Sequence, residues 1–302
     1  MENEARLIPE DEDHRAGFVS IIGKPNVGKS TLMNQMIGEK LSIITSKAQT
    51  TRHRIMGIIN GEDFQVVYSD TPGIIKPKYE LHKSMMRFVN TSLDDADIIL
   101  FVTDIFEKHD ENDVIEKLKI SEAPVILLVN KIDLAKENQV EEKVAFWNEL
   151  INPQEIIPIS ALNNVNIDQL FESILKYLPK HPPYFPKDSF TDKPERFFAA
   201  EMIREKIFKN YKQEIPYACE VMITEFKEKE DIINIRAEIL VERQSQKGIL
   251  IGKKGQALKK VGIEARADLE EFFAKQVFLA QHVKVVPDWR QQRNKLDHLG
   301  YR

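Results

Sequence analysis

A glycine-rich segment near the N-terminus combines the residue types that bind phosphate. Residues 23–30, GKPNVGKS, fit the pattern G-x-x-x-x-G-K-[ST] between an apolar run and a segment of helical period. Glycines let backbone N–H groups curl around phosphate oxygens, and the following helix adds the positive end of its dipole. In this pattern Lys29 neutralises charge on the β and γ phosphates, and the Ser30 hydroxyl is a ligand for Mg²⁺. The segment therefore predicts a P-loop made of Gly23, Lys24, Pro25, Asn26, Val27, Gly28, Lys29, Ser30 and Thr31.

Three further short motifs each follow a strand-like apolar run. Residues 70–73, DTPG, can hold Mg²⁺ through water and offer a backbone N–H to the γ-phosphate. Residues 130–133, NKID, end in a carboxylate that can accept two hydrogen bonds from guanine, which adenine cannot offer. Residues 160–162, SAL, can offer a backbone N–H to guanine O6. Each motif is weak alone, but together they predict a guanine nucleotide site that adds Asp70, Thr71, Pro72, Gly73, Asn130, Lys131, Asp133, Ser160, Ala161 and Leu162.

A second glycine motif lies in the C-terminal part of the chain. Residues 252–255, GKKG, separate two segments of helical period. Such glycines let a nucleic-acid backbone approach closely, and the lysines between them can contact phosphates. A tight turn between helices is the other interpretation, but the surrounding order helix–strand–strand–helix–helix–strand matches a type II KH module. The RNA-binding candidates are Lys247, Gly252, Lys253, Lys254, Gly255, Lys259 and Lys260.

Three apolar residues beside this loop have two interpretations. Ile249, Ile251 and Leu258 can line the groove in which a KH module accepts single-stranded bases. They can equally be core residues of the two helices, and the sequence leaves both open.

The elements that must position these motifs change in type along the chain. Before residue 179, strands and helices alternate, which predicts an α/β fold with a mostly parallel sheet and helices on both faces. Several strands are continuously apolar, as expected for strands buried on both sides. After residue 190, the pattern predicts a smaller α+β unit. The predicted strands of the first part are 18–22, 55–59, 64–68, 98–102, 125–129 and 156–159.

The domain boundary is marked by proline. Four of the eight residues from Pro179 to Pro186 are proline, so this segment cannot be helix interior and predicts a semi-rigid spacer. We therefore expect an N-terminal extension at 1–15, a nucleotide-binding domain at 16–178, a linker at 179–190 and an RNA-binding domain with a C-terminal tail at 191–302.

Composition restricts the class of protein. The chain has 302 residues and a net charge of −5, but residues 180–302 hold 24 Lys and Arg against 19 Asp and Glu, which suits a polyanion partner. The single cysteine, Cys219, excludes a disulfide framework. The apolar runs are too short to span a bilayer, and the acidic first fifteen residues are no secretory signal. These features predict a soluble cytoplasmic protein.

The ordered motifs are those of the translation-factor-like GTPases, and the chain resembles the Era family in particular. The resemblance includes residues 49–54, QTTRHR, in the switch position and extends over nearly all of 16–302. It implies a P-loop GTPase domain followed by a type II KH domain, with GTP as substrate, GDP as product and Mg²⁺ as cofactor. It also implies binding to small-subunit ribosomal RNA near its 3′ end, during assembly of the small ribosomal subunit.

The resemblance further implies a second hydroxyl ligand for the metal when GTP is bound. This hydroxyl belongs to Thr51 or Thr50, which the spacing cannot decide, and we assign Thr51. The expected Mg²⁺ ligands are then Ser30, Thr51 and, through water, Asp70. The resemblance leads us to expect a monomer with a membrane-associated peripheral fraction.

One departure from the commonest GTPase pattern concerns hydrolysis. Ile74 stands where Ras-like proteins have the glutamine that orients the attacking water, so we expect slow or differently catalysed hydrolysis. In related GTPases, an asparagine at the position of Asn26 helps to bind K⁺ beside the phosphates, and such a cation would offset developing charge. Asn26 can also simply favour the turn, and Arg52 and His53 are alternative cations. The catalytic candidates are Lys29, Asn26 and Thr51.

Two other functions compete with this hypothesis. A GTPase partner of a tRNA-modifying complex has a similar nucleotide domain, but the KH-like second domain argues against it. An RNA-binding adaptor with a non-hydrolysing nucleotide site is the other, and the intact Lys29, Ser30, Asp70, Asn130 and Asp133 argue against that.

Overall fold

The computed structural model describes residues 13–107 and 113–301, which divide into two units. Unit 1 comprises residues 13–42, 54–74 and 88–192 of the described chain, and unit 2 comprises 43–53, 75–87 and 193–301. Most of the predicted N-terminal extension, 1–15, lies outside the described residues. Within the described residues, no helix combines the length and apolar character needed to cross a bilayer.

Unit 1 is built on a six-stranded sheet with the order β2-β3-β1-β4-β5-β6. Neighbouring strands are parallel except for the pair β2 and β3, which confirms the predicted mostly parallel sheet. The strands are β1 (Arg15–Ile22), β2 (Ile55–Asn60), β3 (Phe64–Asp70), β4 (Ile98–Asp104), β5 (Val125–Asn130) and β6 (Glu155–Pro158). The helices are α1 (Lys29–Ile37), α2 (Glu80–Asp94), α3 (Asp113–Lys119), α4 (Gln139–Ile151) and α5 (Ile167–Tyr177); the boundary between units falls within α2, after Arg87.

The continuous apolar runs are the central strands of this sheet. Every residue of β4 and β5 is buried, because strands at the centre of a sheet covered on both faces expose neither side to water. Each of these strands ends in a polar residue, Asp104 or Asn130, at its carboxyl end. The core strands therefore deliver polar side chains to one edge of the sheet.

Residues 179–192, here called the proline-rich segment, follow the edge of the sheet in unit 1. Ile58 N–H donates to Phe190 O at 2.9 Å, and Met56 N–H donates to Asp192 Oδ1 at 2.9 Å. The Gln65 side chain accepts hydrogen bonds from the N–H groups of residues 184 and 185. The bonds of Ile58 and Met56 occupy the outer edge of β2, which would otherwise expose unpaired backbone groups. The segment is thus extended, but it is bound to unit 1 as far as Asp192.

Unit 2 contains the predicted order of elements, with one additional short helix before the first strand and another in the C-terminal tail. Its sheet has the order β7-β8-β9, antiparallel between β7 and β8 and parallel between β8 and β9. The core lies between this sheet and the longer helices, where Ile207, Ile239, Leu250 and Val261 are buried together. The elements are α6 (Glu195–Asn210), α7 (Ile215–Ala218), β7 (Glu220–Glu228), β8 (Ile232–Val241), α8 (Gln244–Ile251), α9 (Gln256–Phe273), β9 (Gln276–Val285) and α10 (Arg293–His298).

The C-terminal tail is an integral part of unit 2. Trp289 is completely buried and its indole Nε1 donates to Ala218 O at 3.0 Å. Tyr301, close to the end of the chain, is also completely buried. The tail therefore packs against the α7–β7 junction.

Candidate nucleotide site and candidate RNA interface

The P-loop connects β1 to α1, and its backbone requires glycine at two positions. Gly23 has φ 153°, and a Cβ atom there would lie 2.1 Å from Val102 O. Gly28 has φ 104°, and a Cβ atom there would lie 2.2 Å from the Asn130 side-chain nitrogen. Both conformations are rarely adopted by other residues, and both spaces are occupied. The motif glycines are thus required by the turn itself.

Lys29 begins α1 and is almost completely buried in the loop. Its Nζ donates to Gly23 O at 3.0 Å and to Lys24 O at 2.9 Å. Burial lowers the pKa of Lys29 to about 8, although the carboxylates of Asp70 and Glu107 oppose this shift. The charge of the P-loop lysine therefore responds to pH in the weakly alkaline range.

The predicted metal ligands Ser30 and Asp70 lie together. Ser30 Oγ donates to Asp70 Oδ2 at 2.7 Å, and Asp70, the last residue of β3, is fully buried. A third side chain that the sequence analysis missed, Ser42, donates its hydroxyl to the same carboxylate oxygen at 2.8 Å. Hydroxyl and carboxylate oxygens are the hard donors that Mg²⁺ prefers, so this donor set fits the ion.

The DTPG motif lies against the P-loop. Ile74 N–H donates to Gly23 O at 3.0 Å, and a Cβ atom on Gly73 would lie 2.7 Å from the Pro25 backbone nitrogen. Thr71 Oγ1 donates to Ile21 O at 2.8 Å and anchors the motif to β1. Gly73 is thus needed for close approach of the two loops, and Ile74 brings an apolar side chain to the position of the usual glutamine.

Asn130, the last residue of β5, joins three loops. Its Nδ2 donates to Val27 O at 2.7 Å in the P-loop. Its Oδ1 accepts hydrogen bonds from Lys131 N–H at 2.8 Å and Ala161 N–H at 3.0 Å. Asn130 is 2% exposed, and its buried side chain holds the three loops together.

Lys131 ties the guanine motif to a carboxylate that the sequence analysis did not identify. Its φ is 65°, and its Nζ donates to Asn26 O at 2.7 Å and to Asp104 Oδ2 at 2.6 Å. Asp104 ends β4 and is opposite Asn130 in the parallel register. The sequence pattern could have identified Asp104, because this residue follows an apolar run just as Asp70 does.

Asp133 and Ser160, two residues predicted to lie at the guanine base, are hydrogen-bonded to each other. Ser160 Oγ donates to Asp133 Oδ1 at 2.6 Å and thereby orients the carboxylate. Asp133 is exposed and can reach a ligand, whereas Ala161 is 1% exposed. Leu162 is 76% exposed at the same loop. The arrangement can accept hydrogen bonds from the Watson–Crick edge of guanine.

Residues 43–53, here called the switch segment, belong to unit 2. Thr50 Oγ1 donates to Lys47 O at 2.7 Å and lies 2.6 Å from Thr45 Oγ1, and Thr51 is 8% exposed. Burial lowers the pKa of His53 to about 3, so this imidazole is neutral at physiological pH. Arg52 is completely buried and pairs with Glu220 at 2.9 Å. Arg52 and His53 were the alternatives to K⁺ as a source of positive charge near the phosphates. Neither of them presents an exposed positive charge.

The GKKG loop has the backbone of a tight, glycine-dependent turn. Gly252 has φ 71°, and a Cβ atom there would lie 2.6 Å from the Ala257 Cβ. Lys254 has φ 51° and Gly255 has φ 77°, directly before α9 begins. Lys253, Lys254, Lys259 and Lys260 are exposed, and in the described part of the chain only the last pairs with a carboxylate, Glu264, at 3.7 Å. The loop thus presents several uncompensated positive charges.

The three apolar residues beside this loop differ in exposure. Ile249 is 51% exposed on α8. Ile251 and Leu258 are partly buried and pack against the core of unit 2. Both interpretations therefore stay open, and Ile249 has the most exposed side chain of the three.

Comparisons with known proteins agree with this geometry. A family model described as 50S ribosome-binding GTPase matches residues 18–131, and a KH domain model matches 214–290. GTPase Era from Geobacter metallireducens is 46% identical over 96% of this chain and 99% of its own length. The chain belongs to the Era family of GTPases. The chloroplastic GTPase ERA1 from Zea mays is 43% identical over 96% of this chain and 71% of its own length.

Two solved Era structures share the fold. Each covers 95% of this chain at 42% identity with a TM-score of 0.90, and 99% of the solved chain is covered. One is Era in complex with MgGDPNP and nucleotides 1506–1542 of 16S ribosomal RNA. The other is a variant of Aquifex aeolicus Era bound to GDP and AlF4⁻. The predicted fold and GTPase activity are thereby confirmed.

The pKa of Lys29 leads to a prediction about proton uptake. Phosphate binding favours the charged ammonium, so nucleotide binding above pH 8 requires the free protein to take up a proton. We expect calorimetry of GDP binding in two buffers of different ionisation enthalpy to detect about one proton taken up at pH 9 and little at pH 7. The affinity should fall by up to about tenfold per pH unit above pH 8. Equal proton counts at both pH values would contradict the prediction.

Proposed function

We propose that this Era-family GTPase binds single-stranded small-subunit ribosomal RNA near its 3′ end and assists assembly of the small ribosomal subunit. The observation that carries the proposal is the complex of a 42% identical Era with MgGDPNP and nucleotides 1506–1542 of 16S ribosomal RNA. The nucleotide motifs and the basic GKKG loop of this chain support the same two ligands. No observation specifically favours either of the two competing functions. The monomeric state, the cytoplasmic location and the membrane-associated fraction remain predictions.

The proposed metal site uses residues of the P-loop, the switch segment and β3. Ser30 and Thr51 would bind Mg²⁺ directly, and Asp70 would bind it through water. When bound, the ion neutralises charge on the β- and γ-phosphate oxygens. The chain itself supplies the Lys29 ammonium, the N–H groups of the P-loop and the N-terminus of α1 to the same phosphates. The oriented carboxylate of Asp133 selects guanine by accepting two hydrogen bonds.

Hydrolysis lacks a water-orienting glutamine in this chain, so charge that develops on the phosphates must be stabilised in another way. Ile74 can offer no hydrogen bond to water, and His53 is neutral. We assign Asn26 to a K⁺ site beside the phosphates. The support is its position in the P-loop, where its backbone has φ 66° and its carbonyl oxygen is bound by Lys131. Its backbone is thus held in place, as a ligand for a weakly bound ion requires.

The RNA interface combines charge with one apolar contact. Lys253 and Lys254 would contact phosphates, while the glycines on either side let the RNA backbone approach. Ile249, exposed on the preceding helix, would contact a base. Because most of these contacts are to phosphate, they position the RNA and carry little sequence information.

The guanine assignment predicts a change of base specificity. Asp133→Asn replaces an acceptor by a donor, so we expect the variant to lose GTP affinity and to prefer xanthine nucleotides, whose base edge has an acceptor at that position. Competition of GTP, XTP and ATP against a fluorescent GDP measures this. The matched control is Asp188→Asn, an exposed aspartate of the proline-rich segment, which should bind as the wild type does. Equal binding of ATP and GTP by the wild type would refute the assignment.

The K⁺ assignment predicts a salt-specific rate. Wild-type GTP hydrolysis should be faster in KCl than in NaCl at equal ionic strength, because the cation offsets charge that develops in the transition state. Asn26→Gly tolerates the positive φ but lacks the amide oxygen, so it should lose most of the difference. Asn26→Asp keeps an oxygen at this position and should retain a response to K⁺. Identical wild-type turnover in both salts would exclude the site.

The RNA interface predicts a charge-dependent loss of binding. The double variant Lys253→Asp and Lys254→Asp should weaken single-stranded RNA binding and lower the salt slope by about 0.7 for each lost phosphate contact. GTP affinity should be unchanged, because the P-loop lies in unit 1. Titration of a labelled 3′-terminal 16S RNA and a scrambled RNA across a salt series measures this.

The matched control for the RNA experiment reverses two charges elsewhere in unit 2. Lys227→Asp with Lys229→Asp, near the β7–β8 turn, makes the same change of charge at exposed positions. This control should bind RNA nearly as the wild type does. If the loop variant folds and binds RNA with unchanged affinity and slope, the loop is only a helix connector.

A further inference from the structure

The switch segment is held in unit 2 by a buried arginine. Arg52 Nη1 donates to Cys219 O at 2.7 Å and to Glu220 Oε2 at 2.9 Å. Its Nη2 donates to Pro216 O at 3.0 Å and to Tyr217 O at 3.2 Å. The side chain is completely buried, so four acceptors of the α7–β7 junction replace water around the guanidinium. A charge buried in this way cannot leave without losing all of these bonds at once.

The carboxylate that pairs with Arg52 also binds the end of the chain. Tyr301 OH donates to Glu220 Oε2 at 2.6 Å, and the Tyr301 ring stacks on His53 with centroids 4.1 Å apart. Burial opposes ionisation of Glu220, but the attraction of Arg52 and Arg204 holds its pKa below the usual range. The switch segment, the start of β7 and the C-terminal tail thus share one ionised carboxylate.

A second arginine holds Thr50 of the switch segment. Arg204 of α6 donates to the Thr50 carbonyl oxygen and pairs with Glu201 on the same helix. The Thr50 hydroxyl donates to Lys47 O, and Lys47 Nζ in turn donates to Phe208 O at the end of α6. The hydroxyl and the carbonyl oxygen of Thr50 are therefore both bound within unit 2, next to Thr51.

We propose that Glu220 and Tyr301 are positioning residues for the GTPase reaction. They hold Arg52, and with it the switch threonines, in unit 2 until GTP binds. The inference rests on the proposed assignment of a switch threonine to Mg²⁺. Suppose that a ligand binds only to molecules in which the segment is released. Its apparent affinity is then its intrinsic affinity multiplied by the fraction of such molecules. GTP needs the switch hydroxyl, whereas GDP does not. The contact therefore lowers affinity for GTP and leaves affinity for GDP unchanged.

The test compares the affinities of the full-length protein for GDPNP and GDP in the presence of Mg²⁺. Tyr301→Phe removes one hydrogen bond to Glu220 and keeps the ring, so GDPNP affinity should rise by about tenfold while GDP affinity stays within about twofold. Glu220→Gln should raise GDPNP affinity further. The matched control is Glu238→Gln on the neighbouring strand, where the carboxylate pairs with Lys284 at 3.2 Å and neither affinity should change.

A double-mutant cycle separates positioning from general stability. Arg52→Gln and Glu220→Gln remove the two sides of one contact, so their effects on the ratio of the two affinities should be strongly non-additive. A merely structural role would lower the thermal unfolding midpoint and leave that ratio unchanged. If Glu220→Gln does not fold, Tyr301→Phe keeps both charges and decides the question alone. An unchanged ratio in folded Tyr301→Phe would overturn the inference.

The proposed metal ligand is tested separately from the retention of the switch segment. Thr51→Ala and Thr50→Ala are each compared with the wild type for GDPNP affinity. If neither weakens GDPNP binding, the assignment of a switch threonine to Mg²⁺ is wrong. If one of them does and the ratio in Tyr301→Phe is unchanged, the assignment stands and the positioning role of Glu220 and Tyr301 is wrong.

Discussion

The geometry of the nucleotide site depends on the hydrogen bonds of the Asn130 side-chain amide. It donates to the P-loop at Val27 O and accepts from the backbone N–H groups of Lys131 and Ala161. An amide carries donor and acceptor on one rigid group, whereas a carboxylate would leave the Val27 carbonyl without its donor. The same amide occupies the space that a Cβ atom on Gly28 would need. One buried side chain thus explains a glycine in the P-loop and the spacing of two loops that follow β5 and β6.

Parallel strand order makes this interaction possible. β1, β4, β5 and β6 run in one direction, so the loops that follow them meet at one edge of the sheet. The register between β4 and β5 sets Asp104 opposite Asn130, and Asp104 then fixes the ammonium of Lys131. A shift of register between β4 and β5 would displace these two polar ends relative to each other.

Unit 2 is organised around buried charge. Two completely buried arginines, Arg52 and Arg204, face Glu220 and Glu201, and both guanidinium groups lie over the Phe208 ring, at 5.8 and 5.3 Å from its centroid. Removing one partner from a buried pair is strongly destabilising, because the other charge is left without compensation. Such a network adds little net stability compared with apolar packing, but it admits few arrangements. It therefore specifies where the switch segment and the C-terminal tail lie within unit 2.

The local motifs could be predicted from the sequence because their chemistry is contained in a few adjacent residues. The glycines at 23, 28, 252 and 255 are set by backbone conformation, and Ser30, Asp70 and Asp133 follow elements whose hydrophobic pattern is distinctive. Side chains that join distant segments could not be predicted. Ser42 is 28 residues from Asp70, and Arg52 is 168 residues from Glu220. Ile251 and Leu258 had the same helical spacing as groove residues, and only the structure showed that they are partly buried against the core. The sequence alone determined which phosphate and base chemistry the chain can perform, since residue type and spacing decide that; the tertiary structure decided which charges are buried and paired, since burial and pairing depend on segments that only folding brings together.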